Sequence, residues 1–216
     1  CNSRVPCELI TLDLRDAELC VSEFSKQSPC PDIIIANAGL GGLNPAQDFS
    51  ASIDHQIMSV NYFGTINCIA PFLERMISRG SGHIIGMCSL AAMRGLLHAA
   101  SYSASKAAQM SFLESLRLEL QPLGIQVTTL LPGFIKTQMA DHDAFPMPFT
   151  ISVEQCVLTS LQSIAKQKRQ VMFPFPMRIL ATINRFLPIW LYDPIIRFIN
   201  KDLSAKAQIF SKQDSK

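Results

Sequence analysis

The chain has 216 residues, 48% of them hydrophobic and 17% charged, with a net charge of only +2. That length supports one domain with a sizeable core, and the apolar content excludes a disordered chain. Seven scattered cysteines with no CxxC pair exclude a disulfide framework and a clustered metal site, and read as buried or free thiols in a reducing, cytoplasmic compartment.

Residues 8–14 (ELITLDL) and 32–37 (DIIIAN) are short apolar runs bounded by polar or turn residues, which predicts strands buried on both faces, with a helix over 16–26 between them. Residues 51–79 carry Ile53, Ile57, Val60, Phe63, Ile66 and Ile69 at helical spacing, which predicts one long amphipathic helix. HIIGMCS (83–89) is the next strand, and residues 100–121 form a second long helix ended by Pro122 and Gly124. A strand over 125–132, a helix over 152–168 and a short strand over 170–175 follow. Alternating strands and helices predict βαβ units, hence an α/β fold with a doubly wound parallel sheet and helices on both faces. In such sheets ligands sit beyond the carboxyl ends of the strands. The residues just after each strand are Asp13, then Asn37, Ala38 and Gly39, then Ser89, then Pro132 and Gly133.

Tyr102 and Lys106 are four positions apart, so a helix projects both from one face. An ammonium held near a phenol favours the phenolate, which is expected to lower the Tyr102 pKa and make it a general acid and base near neutral pH. The small residues Ser101, Ser103, Ala104 and Ser105 around it are expected to leave room for a cofactor against the helix. Ser89, thirteen residues before Tyr102, ends a strand expected to run beside that helix. Its hydroxyl could bond the same substrate oxygen.

With these residues in view, the chain resembles the short-chain dehydrogenase/reductase family. The resemblance rests on Tyr102 and Lys106 in YSASK, Ser89, the NAG of Asn37 to Gly39, Asn61 in VNYFGT, and Pro132-Gly133 followed by Thr137, in family order from about residue 8 to about 175. It implies a Rossmann-like fold and an oxidoreductase that moves a hydride between NAD or NADP and an alcohol or carbonyl substrate. Carried over by position, Tyr102 is the acid and base, Ser89 polarises the substrate oxygen, and Lys106 binds the nicotinamide ribose. Asn61 holds a water in a proton relay that reaches Lys106. Asp13 meets the adenine, Asn37, Ala38 and Gly39 flank the adenosine ribose, and Ile135 and Thr137 after Pro132 and Gly133 meet the nicotinamide carboxamide. Helices 51–79 and 100–121 resemble those of a family dimer interface, so a homo-oligomer is expected.

The family's glycine-rich phosphate turn and its two flanking strands find no counterpart. Gly39, Gly41 and Gly42 follow the wrong strand and open no helix. With Cys1 in first place, an N-terminally truncated fragment of a longer enzyme is expected; the alternative is a catalytically inactive binding or regulatory module on the same fold. His98, four before Tyr102, reads as a loop residue, His55, His83 and His142 show no partnership, and Cys88 reads as a buried thiol. The Met- and Phe-rich segment 134–150 points to a hydrophobic substrate as readily as to core packing.

Charge divides the chain. Residues 1–165 carry nine Lys/Arg against fourteen Asp/Glu, and residues 166–216 carry ten against three. Residues 176–216 therefore read as a basic helical extension of a domain over 1–175. One stripe is Ile179, Leu180, Ile183, Phe186 and Leu187, and a second is Ile195, Ile196, Ile199 and Leu203. Packing over the body is the preferred reading of these stripes, and peripheral contact with an anionic membrane is the other. No run reaches the ~18 apolar residues of a membrane span, and nothing marks nucleic acid as a partner.

Overall fold

A computed structural model describes residues 7–137 and 147–199. Four parallel strands, β1 (Ile33–Ala36), β2 (Gly82–Met87), β3 (Ile125–Pro132) and β4 (Gln170–Phe173), lie side by side in chain order. Helices α1 (Ala17–Ser25), α2 (Ala51–Met58), α3 (Gly64–Arg79), α4 (Ala100–Leu120) and α5 (Val153–Ala165) form the crossovers and flanks. Two more, α6 (Phe175–Phe186) and α7 (Ile189–Ile199), close the described chain. The doubly wound α/β reading holds.

Strand periodicity sorts the core. Ile34, Ile84 and Val127 pack with Phe72, Met76 and Leu113 of α3 and α4 on one face. Ile85 and Leu130 point the other way, onto Cys156 of α5. Gly86 of β2 sets the closeness of α4, because a Cβ there would lie 2.1 Å from Leu113 Cδ1. That approach brings the first turns of α4 beside the end of β2. Local signals place the helix ends: Asp16 Oδ1 accepts from Leu19 N at the start of α1, and Ser152 with Gln155 makes a capping box at the start of α5.

Two expected elements differ. Residues 8–14 form no strand: Leu9 is 89% exposed, and the segment runs as an irregular stretch to a turn at Leu14 and Arg15. A strand exists only by hydrogen bonding to a neighbouring strand, and among the described residues no strand pairs with this segment. On β1, Ile33 and Ile35 are each 51% exposed, so that end of the sheet presents apolar surface. The single helix expected over 51–79 is broken by a π turn at Ser59–Phe63, which separates α2 from α3. The wider π turn carries Asn61 inward, where it is completely buried.

Candidate functional site

Because the strands are parallel, Gly39, Ser89 and Gly133 all emerge at the carboxyl end of the sheet. Ser89 caps the short 3₁₀ turn at Leu90–Met93, its Oγ accepting from Ala91 N at 3.1 Å. The same hydroxyl lies near enough to the Tyr102 phenol to favour its ionised form. This serine therefore caps a turn and lies beside the tyrosine. Tyr102 is half-buried in the first turn of α4.

Lys106 follows one turn later and is only 4% exposed. Its Nζ donates to Met87 O and to Gln109 Oε1, each at 2.9 Å. Burial lowers its pKa. Gly39 lies against this ammonium: a Cβ at that position would come within 3.5 Å of Lys106 Nζ and 3.4 Å of Asn61 Oδ1. Both are ordinary van der Waals distances, so position 39 sits directly against the two polar groups. Asn61 in turn clamps the segment after β1, with Oδ1 accepting from Leu40 N at 2.7 Å and Nδ2 donating to Leu40 O at 3.0 Å and Ser105 Oγ at 2.9 Å. The structure thus brings Ser89, Tyr102, Lys106, Asn61 and Gly39 into one cluster.

Three sequence expectations need correcting. Tyr102's pKa is raised rather than lowered, because burial outweighs the nearby Ser89 hydroxyl. The Lys106 ammonium turns to Met87 and Gln109, so it does not set the phenol's ionisation. The serines do not leave open space either. Ser101, Ser103 and Ser105 are at most 7% exposed; Ser103 Oγ accepts from Leu96 N, and Ser105 Oγ donates to Tyr102 O. Their small size lets the helix sink into the body, and only Ala104 of the four faces solvent.

Asp13 stays outside the cluster. Its exposed carboxylate is bonded to the Arg15 guanidinium and backbone N–H, which hold its pKa down at about 2. Asn37 and Ala38 are exposed just after β1. Pro132 ends β3, Gly133 N donates to Phe173 O at 2.7 Å, Ile135 bridges Ile151, and Thr137 is exposed. Residues 138–146 of the Met- and Phe-rich segment 134–150, His142 among them, lie outside the described residues. Gly133 abuts Met177 of α6, and an apolar wall of Cys88, Leu90, Leu131, Met177 and Phe134 adjoins Ser89. Burial pushes the Cys88 thiol up to about 11, the inert thiol the sequence suggests.

Sequence reasoning missed two members. Gln109, completely buried, links Lys106 to α3 by donating from Nε2 to Thr65 Oγ1 at 2.8 Å. Thr65 donates on to Asn61 O at 2.8 Å. The signal was present: a glutamine three residues after a lysine shares its helical face. Among the described residues no cluster of His, Cys, Asp or Glu is arranged to hold a metal ion. Nor is any helix among them long and apolar enough to cross a membrane.

Comparison with known proteins gives concordant matches. The family model for short chain dehydrogenase matches residues 5–144. An uncharacterized oxidoreductase of Myxococcus xanthus is 35% identical over 77% of this chain and 66% of its own length. Dehydrogenase/reductase SDR family member 7C-B of Danio rerio is 31% identical over 77% of this chain and 57% of its own. This chain therefore spans about two thirds or less of these curated relatives. A solved short chain dehydrogenase from Burkholderia cenocepacia in complex with NADP superposes with a TM-score of 0.75 at 29% identity, over 87% of this chain and 77% of that one. Parallel sheet, carboxyl-end cluster and sequence match converge on one family: the chain belongs to the short chain dehydrogenases.

Proposed function

We propose that the chain carries the catalytic portion of an NAD- or NADP-dependent oxidoreductase acting on an alcohol or ketone. The observation that carries this reading is the placement of Ser89, just past the end of β2, and Tyr102, in the first turn of α4, at the mouth of the sheet, with Lys106 anchored one turn behind. Tyr102, kept protonated by burial, delivers its phenolic proton to the oxygen of a ketone and takes it back when an alcohol is oxidised. Ser89 holds that same oxygen and keeps it beside the phenol. The apolar wall of Leu90, Phe134 and Met177 beside them supports a hydrophobic substrate.

The residues fit the nicotinamide half of such a cofactor. Lys106 has one ammonium hydrogen beyond the two already donated, and the side-chain-free Gly39 lies against that ammonium. Asn37 and Ala38 offer exposed backbone, and Pro132, Gly133, Ile135 and Thr137 border the same end. The bound cofactor supplies the hydride acceptor or donor; the protein supplies position and proton transfer. A second reading is a cofactor-free binding or regulatory module on the same fold.

Replacing Tyr102 with Phe separates the readings in the natural protein. Reduction of a hydrophobic ketone is expected to fall at least ~100-fold with the unfolding midpoint unchanged. Retained turnover would remove Tyr102 from the chemistry, and a parent protein that neither binds nor oxidises NADH or NADPH would favour the module.

Two partner readings accompany this. Ile77 of α3 and Leu118 of α4, 40% and 62% exposed, support a homo-oligomer, a dimer or tetramer. On α6 and α7, Phe175, Phe186, Trp190 and Phe198 are each at least 68% exposed, beside Arg178, Arg185 and Arg197. That pairing of aromatic and basic groups supports peripheral contact with an anionic membrane. Sedimentation with phosphatidylserine vesicles at low salt is expected to carry the protein down; its remaining in the supernatant would leave packing as the role of these helices.

A further inference from the structure

Lys106 is a buried cation with no carboxylate beside it. The titratable group that acts on it is Cys88 at the end of β2, uncharged at neutral pH because burial holds its pKa near 11. The other surrounding segments present neutral groups: Gly39 after β1, Asn61 in the π turn, Thr65 on α3, and Gln109 on its own helix, on which Tyr102 lies one turn back. Of the two hydrogen bonds that the ammonium makes, one goes to main chain and the other to Gln109. A buried charge needs such acceptors, so half of what holds this cation is one side chain.

We propose that Gln109 is a positioning residue that fixes the Lys106 ammonium through a one-way hydrogen-bond chain anchored on the main-chain carbonyl of Asn61. The direction is set by chemistry. Lysine has only donors, so Gln109 must turn its oxygen to Nζ and its amide nitrogen to Thr65. Thr65 spends its hydrogen on Asn61 O, which leaves its oxygen free to accept from that amide. Each link therefore fixes the next, and the chain ends on helical backbone. A carboxamide also has no readily exchanged proton and no basic nitrogen, so this route passes no protons from Lys106 to Asn61. It holds the cation still, one turn along α4 from Tyr102.

The catalytic consequence rests on the oxidoreductase reading, but the test is read without turnover. In the natural protein, labelled with ¹⁵N-lysine and free of cofactor, the Lys106 Nζ resonance is assigned by its loss in Lys106→Arg. A slowly exchanging ammonium signal is expected in the parent. In Gln109→Met, similar in volume but without the acceptor, the titration midpoint is expected to fall by about half a unit or more and the signal to broaden. In Gln109→Glu, where a carboxylate faces the ammonium, the midpoint is expected to rise above the parent's. Should Gln109→Met not fold, Thr65→Val is read the same way, with a smaller fall. A common midpoint in all folded variants would overturn the proposal, whatever their unfolding temperatures. If Tyr102→Phe retained activity, proton transfer by Tyr102 would be lost as a reading while the Lys106 midpoint still judged this one.

Discussion

The protein holds charge in two ways, and the two sites contrast at every level. Around Lys106 the cation is buried, carries no carboxylate partner, and is surrounded by a lattice of amide, hydroxyl and carbonyl bonds that ties β1, the π turn, α3 and α4 together. At Asp13 a full ion pair with Arg15 stands in water, two residues apart along an irregular segment, touching no other element through its charges. The pair with the larger Coulomb attraction does less for the fold, because water screens it and the unfolded chain forms it locally. The neutral lattice does more, since Asn61, Thr65, Ser105 and Gln109 lie where water cannot readily replace a lost partner.

The largest effect expected from breaking that contrast is at Asn61. Its amide satisfies Leu40 N, Leu40 O and Ser105 Oγ inside the protein. Asn61→Leu removes three hydrogen bonds from a completely buried position, although Ser105 Oγ keeps its bond to Tyr102 O and Leu40 is partly open to water, and is expected to destabilise by about 2–3 kcal/mol. Denaturant unfolding measures it. A loss below ~1 kcal/mol would mean that the segment after β1 is held by something other than the clamp.

Arg94 stands between the extremes, half-buried and bonded to main chain. Its guanidinium donates to Asn184 O at 2.5 Å and Leu187 O at 2.6 Å, at the corner between α6 and α7, and lies 3.7 Å over the Tyr192 ring. Arg94→Ala is expected to cost about 2 kcal/mol, the sum of charge-assisted hydrogen bonds and a cation–π contact less solvent competition. The loss is local. Hydrogen exchange should accelerate in α7 while β2 and β3 keep their protection, and uniform acceleration would contradict a clamp confined to this corner.

What was legible in the sequence follows the same division. Spacing fixes which face of a helix a side chain leaves from, so Tyr102 and Lys106 were readable as neighbours, and strand ends fixed where Ser89 and Gly39 emerge. The destination of a long ammonium is not set by spacing: Lys106 bends to the nearest acceptors, Met87 O and Gln109, and Tyr102 answers to burial instead. Small residues were equally ambiguous. The serines of SYSASK could leave a groove for a ligand or let a helix sink, and only packing against Leu96 and Asn61 decides for the second. Thr65 and Gln109 looked like ordinary helix polar residues because their partners sit on different helices, 44 positions apart in sequence. The strand expected over 8–14 had the right pattern of side chains but needed a neighbour that no pattern within the segment can supply.

The smallest expected effect sharpens the comparison most. Asp13's pKa of about 2 is set by bonds from Arg15 alone. A carboxyl depressed in the folded state contributes stability above its unfolded pKa and loses it as pH falls toward the folded value, here between about 4 and about 2. That contribution exists only if the unfolded carboxyl lacks the same partner. Arg15 is two residues away on an exposed turn, so the unfolded chain keeps it within reach and the depression is present in both states. The acid unfolding curve of Asp13→Asn should therefore overlay the parent's through this window, while NMR titration of the folded parent is expected to show an acidic Asp13. A parent that holds out to lower pH than the variant would mean that Asp13 and Arg15 meet only on folding, and that the segment before α1 is more ordered than its exposed side chains imply.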